Sequence, residues 1–95
     1  MTEQASLHAT IEGHVQGVGF RMFVSTTAHE LGLTGWVRNR WNGDVEVLAE
    51  GERAVLESLL SALYKGPRST YVTKITPEWL QATGEFNDFY MRSTA

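Results

Sequence analysis

Residues 13 to 21, GHVQGVGFR, place three glycines and one arginine between a strand-like run and a helix-like run. A glycine-rich turn that opens a helix leaves backbone N–H groups without intrahelical partners. The helix dipole adds partial positive charge at the same end, which makes an anion site. Gly17 and Gly19 would let the backbone curl around such an anion, and Arg21 would add a planar fork of donors suited to phosphate. An arginine in the first turn mildly opposes the dipole unless an anion sits between them. The spacing is neither that of a P-loop, since no Gly-Lys-Ser/Thr follows, nor that of the dinucleotide fingerprint. On local pattern alone a second reading stays open, in which the glycines shape a tight turn, Gln16 is a turn residue and Arg21 is solvated. Asn39 raises a similar choice. Asparagine is a poor strand former, so it either begins a hairpin turn or supplies an amide that can hold a water and an oxyanion together.

These residues need elements to bring them together. Leu7, Ala9 and Ile11 alternate with His8, Thr10 and Glu12, the period of a half-buried strand. Phe20, Val24, Thr27, Ala28 and Leu31 fall on one helical stripe, which Gly32 stops. Gly35 to Arg40 and Asp44 to Ala49 read as two further strands, with Asn42-Gly43 as a hairpin signal between them. Leu56, Leu59, Leu60 and Leu63 predict a second amphipathic helix, ended by Gly66-Pro67. Tyr71 to Thr76 reads as a fourth strand, with Pro77 expected to interrupt it and Trp79-Leu80 continuing apolar. QATGEFND, residues 81 to 88, reads as a surface loop, and Phe86 to Met91 as a short last strand or ordered tail.

The order β-α-β-β-α-β with a short C-terminal extra strand predicts an α+β fold, the ferredoxin-like split βαβ (βαββαβ) sandwich. Its antiparallel sheet carries both helices on one face. The first two strands then run the same way, so the GHVQGVGFR loop and the segment WVRNRWNG, residues 36 to 43, meet at one rim.

Composition narrows the classes. The 95 residues fit one domain, expected to span 1–95, and 42% hydrophobic and 20% charged residues are ordinary for a globular chain. A net charge of −3 gives no electrostatic reason to expect nucleic acid or an anionic membrane as partner. Without cysteine there is no disulfide and no thiolate metal site. No basic-then-apolar leader and no membrane-length apolar run is present, so a cytoplasmic location is expected.

Ile11-Glu12-Gly13-His14-Val15-Gln16-Gly17-Val18-Gly19-Phe20-Arg21 resembles the first signature of the acylphosphatase family. Gly35-Trp36-Val37-Arg38-Asn39, continuing through Gly43, Val45 and Gly51, resembles the second, in the right order and at the right separation. The resemblance implies hydrolysis of the carboxyl-phosphate bond of small acyl phosphates to a carboxylate and inorganic phosphate, by direct water attack. It implies that Arg21 and the backbone amides of Gln16, Gly17, Val18, Gly19 and Phe20 bind the phosphoryl group and that Asn39 orients the water. It also implies no cofactor, no metal and no covalent phosphoenzyme, and a monomer is the expected working unit. Some family members bring a terminal carboxylate near the arginine, whereas here Ser93-Thr94-Ala95 follow the last strand.

Other residues carry weaker signals. His8, His14 and His29 stand apart from one another and from other ligands, against a metal site. Ser25, Thr26 and Thr27 have no nearby base and are poor nucleophiles. Trp36 is expected to pack, while Trp41 either covers the acyl group or is an exposed loop aromatic. Arg38 and Arg40 either raise the local potential or are solvated strand charges. Two other functions are compatible with such a fold. A non-catalytic phosphate-binding module would use the cradle and Arg21 but would have no need of Asn39. An RNA-binding sheet would need a basic-aromatic strand motif that the chain lacks.

Overall fold

The computed structural model describes residues 3–95. The elements run β1 (Gln4–His14), α1 (Phe20–Glu30), β2 (Thr34–Asn39), β3 (Val45–Glu52), α2 (Arg53–Lys65), β4 (Tyr71–Leu80) and β5 (Phe89–Met91). They form one five-stranded sheet in the order β4-β1-β3-β2-β5. β1 and β2 both pair antiparallel to β3, so they point the same way with β3 between them. β4 pairs antiparallel with β1, and β5 adds parallel to β2. This is the expected ferredoxin-like βαββαβ arrangement with its extra strand.

The alternation in β1 decides which face is buried. Leu7, Ala9 and Ile11 are fully buried, as are Val45, Val47 and Ala49 on β3 and Val37 on β2. α1 covers β2 and β5, and α2 covers β1 and β3. Phe20, Val24 and Ala28 from α1 and Leu56, Leu59 and Leu63 from α2 complete the core. Each fully buried Leu, Val or Phe contributes about 1.5–3 kcal/mol by removal of apolar area from water. Leu60, on the edge of the predicted leucine stripe, is only partly buried.

The opposite face of the sheet is largely polar, with Trp36 packed on it under the guanidinium groups of Arg38 and Arg92. There Glu46 accepts hydrogen bonds from His8 Nε2 (2.6 Å), Arg38 Nε (2.7 Å) and Arg40 Nη1 (3.3 Å). Glu50 accepts from the backbone N–H groups of Thr83 (2.9 Å) and Gly84 (3.0 Å) and from Thr83 Oγ1 (3.0 Å), which staples the loop after β4 to the sheet.

Pro77 does not interrupt β4. The strand runs through it to Leu80, with Pro77 opposite Ala9. β4 lies at the edge of the sheet and pairs on one side only, so the missing proline N–H can face away from the ladder. The last strand is also shorter than the expected span from Phe86. Pairing with β2 begins at Phe89, although Gly35 N already donates to Asp88 O at 2.9 Å.

Candidate active site

The loop between β1 and α1 is pinned at both ends by core residues, since Val15 and Phe20 are each 1% exposed. Residues 16–19 must therefore turn within a short span. Gly17 (φ 73°) and Gly19 (φ 80°) do so in the left-handed region, which costs an L side chain roughly 1–2 kcal/mol. Gly19 occupies the cap position of α1 with no side-chain cap, and Phe23 N donates to Gly19 O (3.0 Å) to begin the helix. The first turn of α1 holds no acidic residue. Its earlier N–H groups are left with no intrahelical acceptor and with the positive end of the dipole.

Arg21 stands in that first turn, half-buried. Its Nη1 makes one long contact, 3.5 Å, to the carbonyl oxygen of Arg92, and it forms no ion pair among the described residues. Most of the guanidinium's five donors are therefore free for an anion.

β2 brings Asn39 to the same rim. Alternation puts Val37 and Asn39 on the helix side of the sheet and Arg38 and Arg40 on the open side. Both arginines are engaged by Glu46 there, so neither contributes to the cleft. Burial raises the Glu46 carboxyl pKa, but hydrogen bonds from His8 and Arg38 more than offset this and hold it below its ordinary value. The backbone of Asn39 pairs with Val45, and its carbonyl accepts from Ala95 N at 3.0 Å. Its side-chain Oδ1 is buried and has no hydrogen-bond partner among the described residues. A buried acceptor without a donor is costly, which marks it for a ligand or a water.

One cleft of about 230 Å³ joins these groups, lined by Gly17, Gly19, Arg21 and Asn39, with Met22 and Met91 among its apolar walls. The two segments that the sequence separates by some twenty residues thus face one volume. A family model described as Acylphosphatase matches residues 7–91 of the chain. The chain belongs to the acylphosphatase family. It is similar to an acylphosphatase of Salinibacter ruber, 45% identical over 84 residues that span 88% of each chain. An acylphosphatase of Pelotomaculum thermopropionicum is 42% identical over 86 residues, 90% of this chain and 94% of that protein. The crystal structure of acylphosphatase from Bacillus subtilis superposes with a TM-score of 0.90 at 36% identity, covering 93% of this chain and 98% of that one. Its activity is accordingly that of an acylphosphatase, an enzyme that hydrolyses acyl phosphates.

Three side chains in or beside the acylphosphatase cleft were not singled out by sequence reasoning, two that line it and one that braces its loop. Met22 (58% exposed) and Met91 (47% exposed) flank Arg21 with apolar surface. For Met22 the signal was available, because an apolar residue stood off the buried stripe of α1. The third is the side chain of Gln16, whose Nε2 donates to the carbonyls of Arg40 (2.7 Å) and Asp44 (2.8 Å) in the β2–β3 hairpin. Trp41 is 82% exposed and does not line the cleft. The histidines also lie elsewhere. His8 is tied to Glu46, His14 is exposed at the end of β1, and His29 Nε2 bridges Asp88 and the Phe89 carbonyl. The chain after β5 runs on beside β2, with Arg92 N donating to Val37 O (2.8 Å) and Trp41 N to Ala95 O (3.1 Å).

Proposed function

We propose that Arg21 and the backbone amides of Gln16, Gly17, Val18, Gly19 and Phe20 bind the phosphoryl group of the acyl phosphate, and that Asn39 orients the water that attacks it. The observation that carries this reading is the one cleft that Asn39, whose Oδ1 has no hydrogen-bond partner among the described residues, lines together with Arg21, which forms no ion pair among them. The water oxygen forms a bond to phosphorus as the bond from phosphorus to the acyl oxygen breaks, and that electron pair leaves with the carboxylate. The water's proton passes to a phosphoryl oxygen of the substrate, because a carboxamide is too weak a base to take it. Phosphoryl transfer needs chiefly positioning and charge stabilisation, and a cup of amides with one guanidinium supplies both.

The reading extends to a single acylphosphatase-like domain over residues 1–95, acting as a monomer in the cytoplasm on a small acyl phosphate, with no metal, nucleic-acid or membrane partner. The net charge of −3 bears on the partners alone, since it gives no electrostatic attraction to nucleic acid or an anionic membrane.

The test follows hydrolysis of benzoyl phosphate by ultraviolet absorbance with EDTA present, for the unaltered protein, Arg21→Ala and Arg21→Lys. The unaltered protein should turn over with the chelator, and both variants should lose at least about 10²-fold in kcat/KM, since lysine restores the charge but not the fork. Inhibition by EDTA reversed by a divalent ion would refute the metal-free chemistry. Full activity in Arg21→Ala would remove the arginine from the site.

A further inference from the structure

The cleft is built from two halves that the backbone does not connect directly. The loop and Arg21 belong to the β1–α1 junction, whereas Asn39 belongs to the end of β2. Their distance and angle decide whether a water held by Asn39 lies behind a phosphorus held by the loop. Gln16 spans the gap. Its side-chain amide nitrogen carries two N–H donors, and each meets one carbonyl: Arg40 O at 2.7 Å and Asp44 O at 2.8 Å, from positions 24 and 28 residues away. Arg40 directly follows Asn39. Arg40 and Asp44 also close the hairpin on each other, with Arg40 N donating to Asp44 O at 2.8 Å. Only an amide nitrogen can face two carbonyl oxygens in this way, so the orientation of the carboxamide is fixed by its partners.

From this geometry we infer that Gln16 is a positioning residue, which clamps the phosphate-binding loop to the hairpin and sets the approach of the attacking water. The inference rests on the roles given above to Arg21 and Asn39. Gln16 touches neither water nor phosphorus through its side chain, and acts through the hairpin that carries Asn39. A residue with this role should affect kcat more than phosphate binding. The loop glycines and Arg21 still form the cup when the clamp is cut, but the water is no longer held in line.

Gln16→Glu and Gln16→Met provide the test, with inorganic phosphate as the binding probe. Each neutral hydrogen bond is worth roughly a factor of ten or less when fully expressed at the site, so kcat should fall by about 10- to 100-fold at pH 7. KM and the inhibition constant for phosphate should stay within about threefold. Gln16→Glu has a second signature. Its carboxylate would face two carbonyl oxygens, an arrangement that favours the protonated form, and the acid can donate one hydrogen bond. The ratio of variant to unaltered kcat should therefore rise several-fold between about pH 7 and about pH 5, a comparison in which titration of the substrate cancels. Gln16→Met, of similar length and without donors, should show no such recovery. Retention of kcat by both variants would overturn the inference, as would a loss of kcat with an equal rise in KM and no acid recovery. Should a variant not fold, NMR on the unaltered protein decides: both Gln16 side-chain protons should exchange slowly, and fast exchange of either breaks the clamp. If the unaltered protein does not hydrolyse the substrate, the activity itself fails. If it does so but Arg21→Ala is fully active, the site roles fail instead.

Discussion

Replacing Asn39 with alanine should separate what the residue does for the reaction from what it costs the fold. Its Oδ1 has no hydrogen-bond partner among the described residues, and the water it is proposed to hold offsets most of the cost of burying that acceptor. Alanine removes acceptor and water together. The other losses are small. The backbone pairing with Val45 and the hydrogen bond from Ala95 N do not involve the side chain. Alanine and asparagine are both poor strand formers. The space left adjoins an open cleft that water can enter, so no dry cavity results. The balance is a stability change within about 1 kcal/mol of zero. A domain of this size gains about 4–8 °C in Tm for each kcal/mol.

The same substitution should lower the hydrolysis rate by about 10²–10³-fold, the usual cost of removing one preorganised polar group. Thermal and urea unfolding, read beside benzoyl phosphate hydrolysis, measure both quantities. Inorganic phosphate adds a control. It should raise the Tm of the unaltered protein and of Asn39→Ala alike, by mass action on an intact cup, and should do so much less for Arg21→Ala. A Tm that falls by more than about 8 °C together with the rate would mean that Asn39 is a structural hairpin residue. Unchanged turnover in a folded Asn39→Ala would refute the water-orienting role outright.

Two further outcomes concern the loop and the open sheet face. Gly19→Ala places a side chain at φ 80° with nothing within 4 Å of the new Cβ, so its cost is conformational rather than steric. Urea unfolding should show a loss of about 1–2 kcal/mol, and a loss near zero would mean that the loop relaxes out of the left-handed region. Burial raises the Glu50 carboxyl pKa, but the hydrogen bonds from Thr83 and Gly84 outweigh it and hold the group below its ordinary 4.5, and Glu46 is lowered likewise. Both shifts are downward, so the folded state binds fewer protons than the unfolded one. The stability they contribute is complete above about pH 4.5 and disappears as pH falls through the lower folded values. Unfolding free energies measured from about pH 6 to about pH 3 should show this decline, and Glu50→Gln should flatten it. An identical acid profile in the variant would refute the assignment.

Some elements could be read from the sequence because a single local rule governs each. The alternation from Leu7 to Ile11, the leucine spacing in α2 and the helix stops at Gly32 and Gly66 reflect burial and backbone freedom within a few residues. Asn42 and Gly43 do lie in the hairpin, where Asp44 N donates to Asn42 Oδ1 at 3.0 Å and Gly43 takes a φ of 101°. The sequence was misleading where a residue's meaning depends on its place in the sheet. Pro77 breaks a central strand, yet β4 is an edge, and its position there follows from the whole strand order. Arg38 and Arg40 flank Asn39 in sequence and lie on the opposite face in space, a consequence of the strand's period of two.

The site shows the same division more sharply. Arg21 and Asn39 drew notice because each stands at the end of an element where its chemistry is out of keeping with its neighbours, but their site roles came from the resemblance to the acylphosphatase signatures. A cation sits at a positive helix end, and an amide sits in a strand. Gln16 carries no such anomaly, since glutamine in a turn is unremarkable, and its partners are backbone carbonyls that no side-chain pattern can announce. A carbonyl has the same donor preference whichever residue bears it. Motif reading therefore finds the groups proposed to meet the substrate, but a side chain that bridges the loop and the hairpin, as Gln16 does, is visible only once the hairpin is folded against the loop. Val15 and Phe20 fix where the loop begins and ends, and the two bonds of Gln16 fix where it lies relative to Asn39.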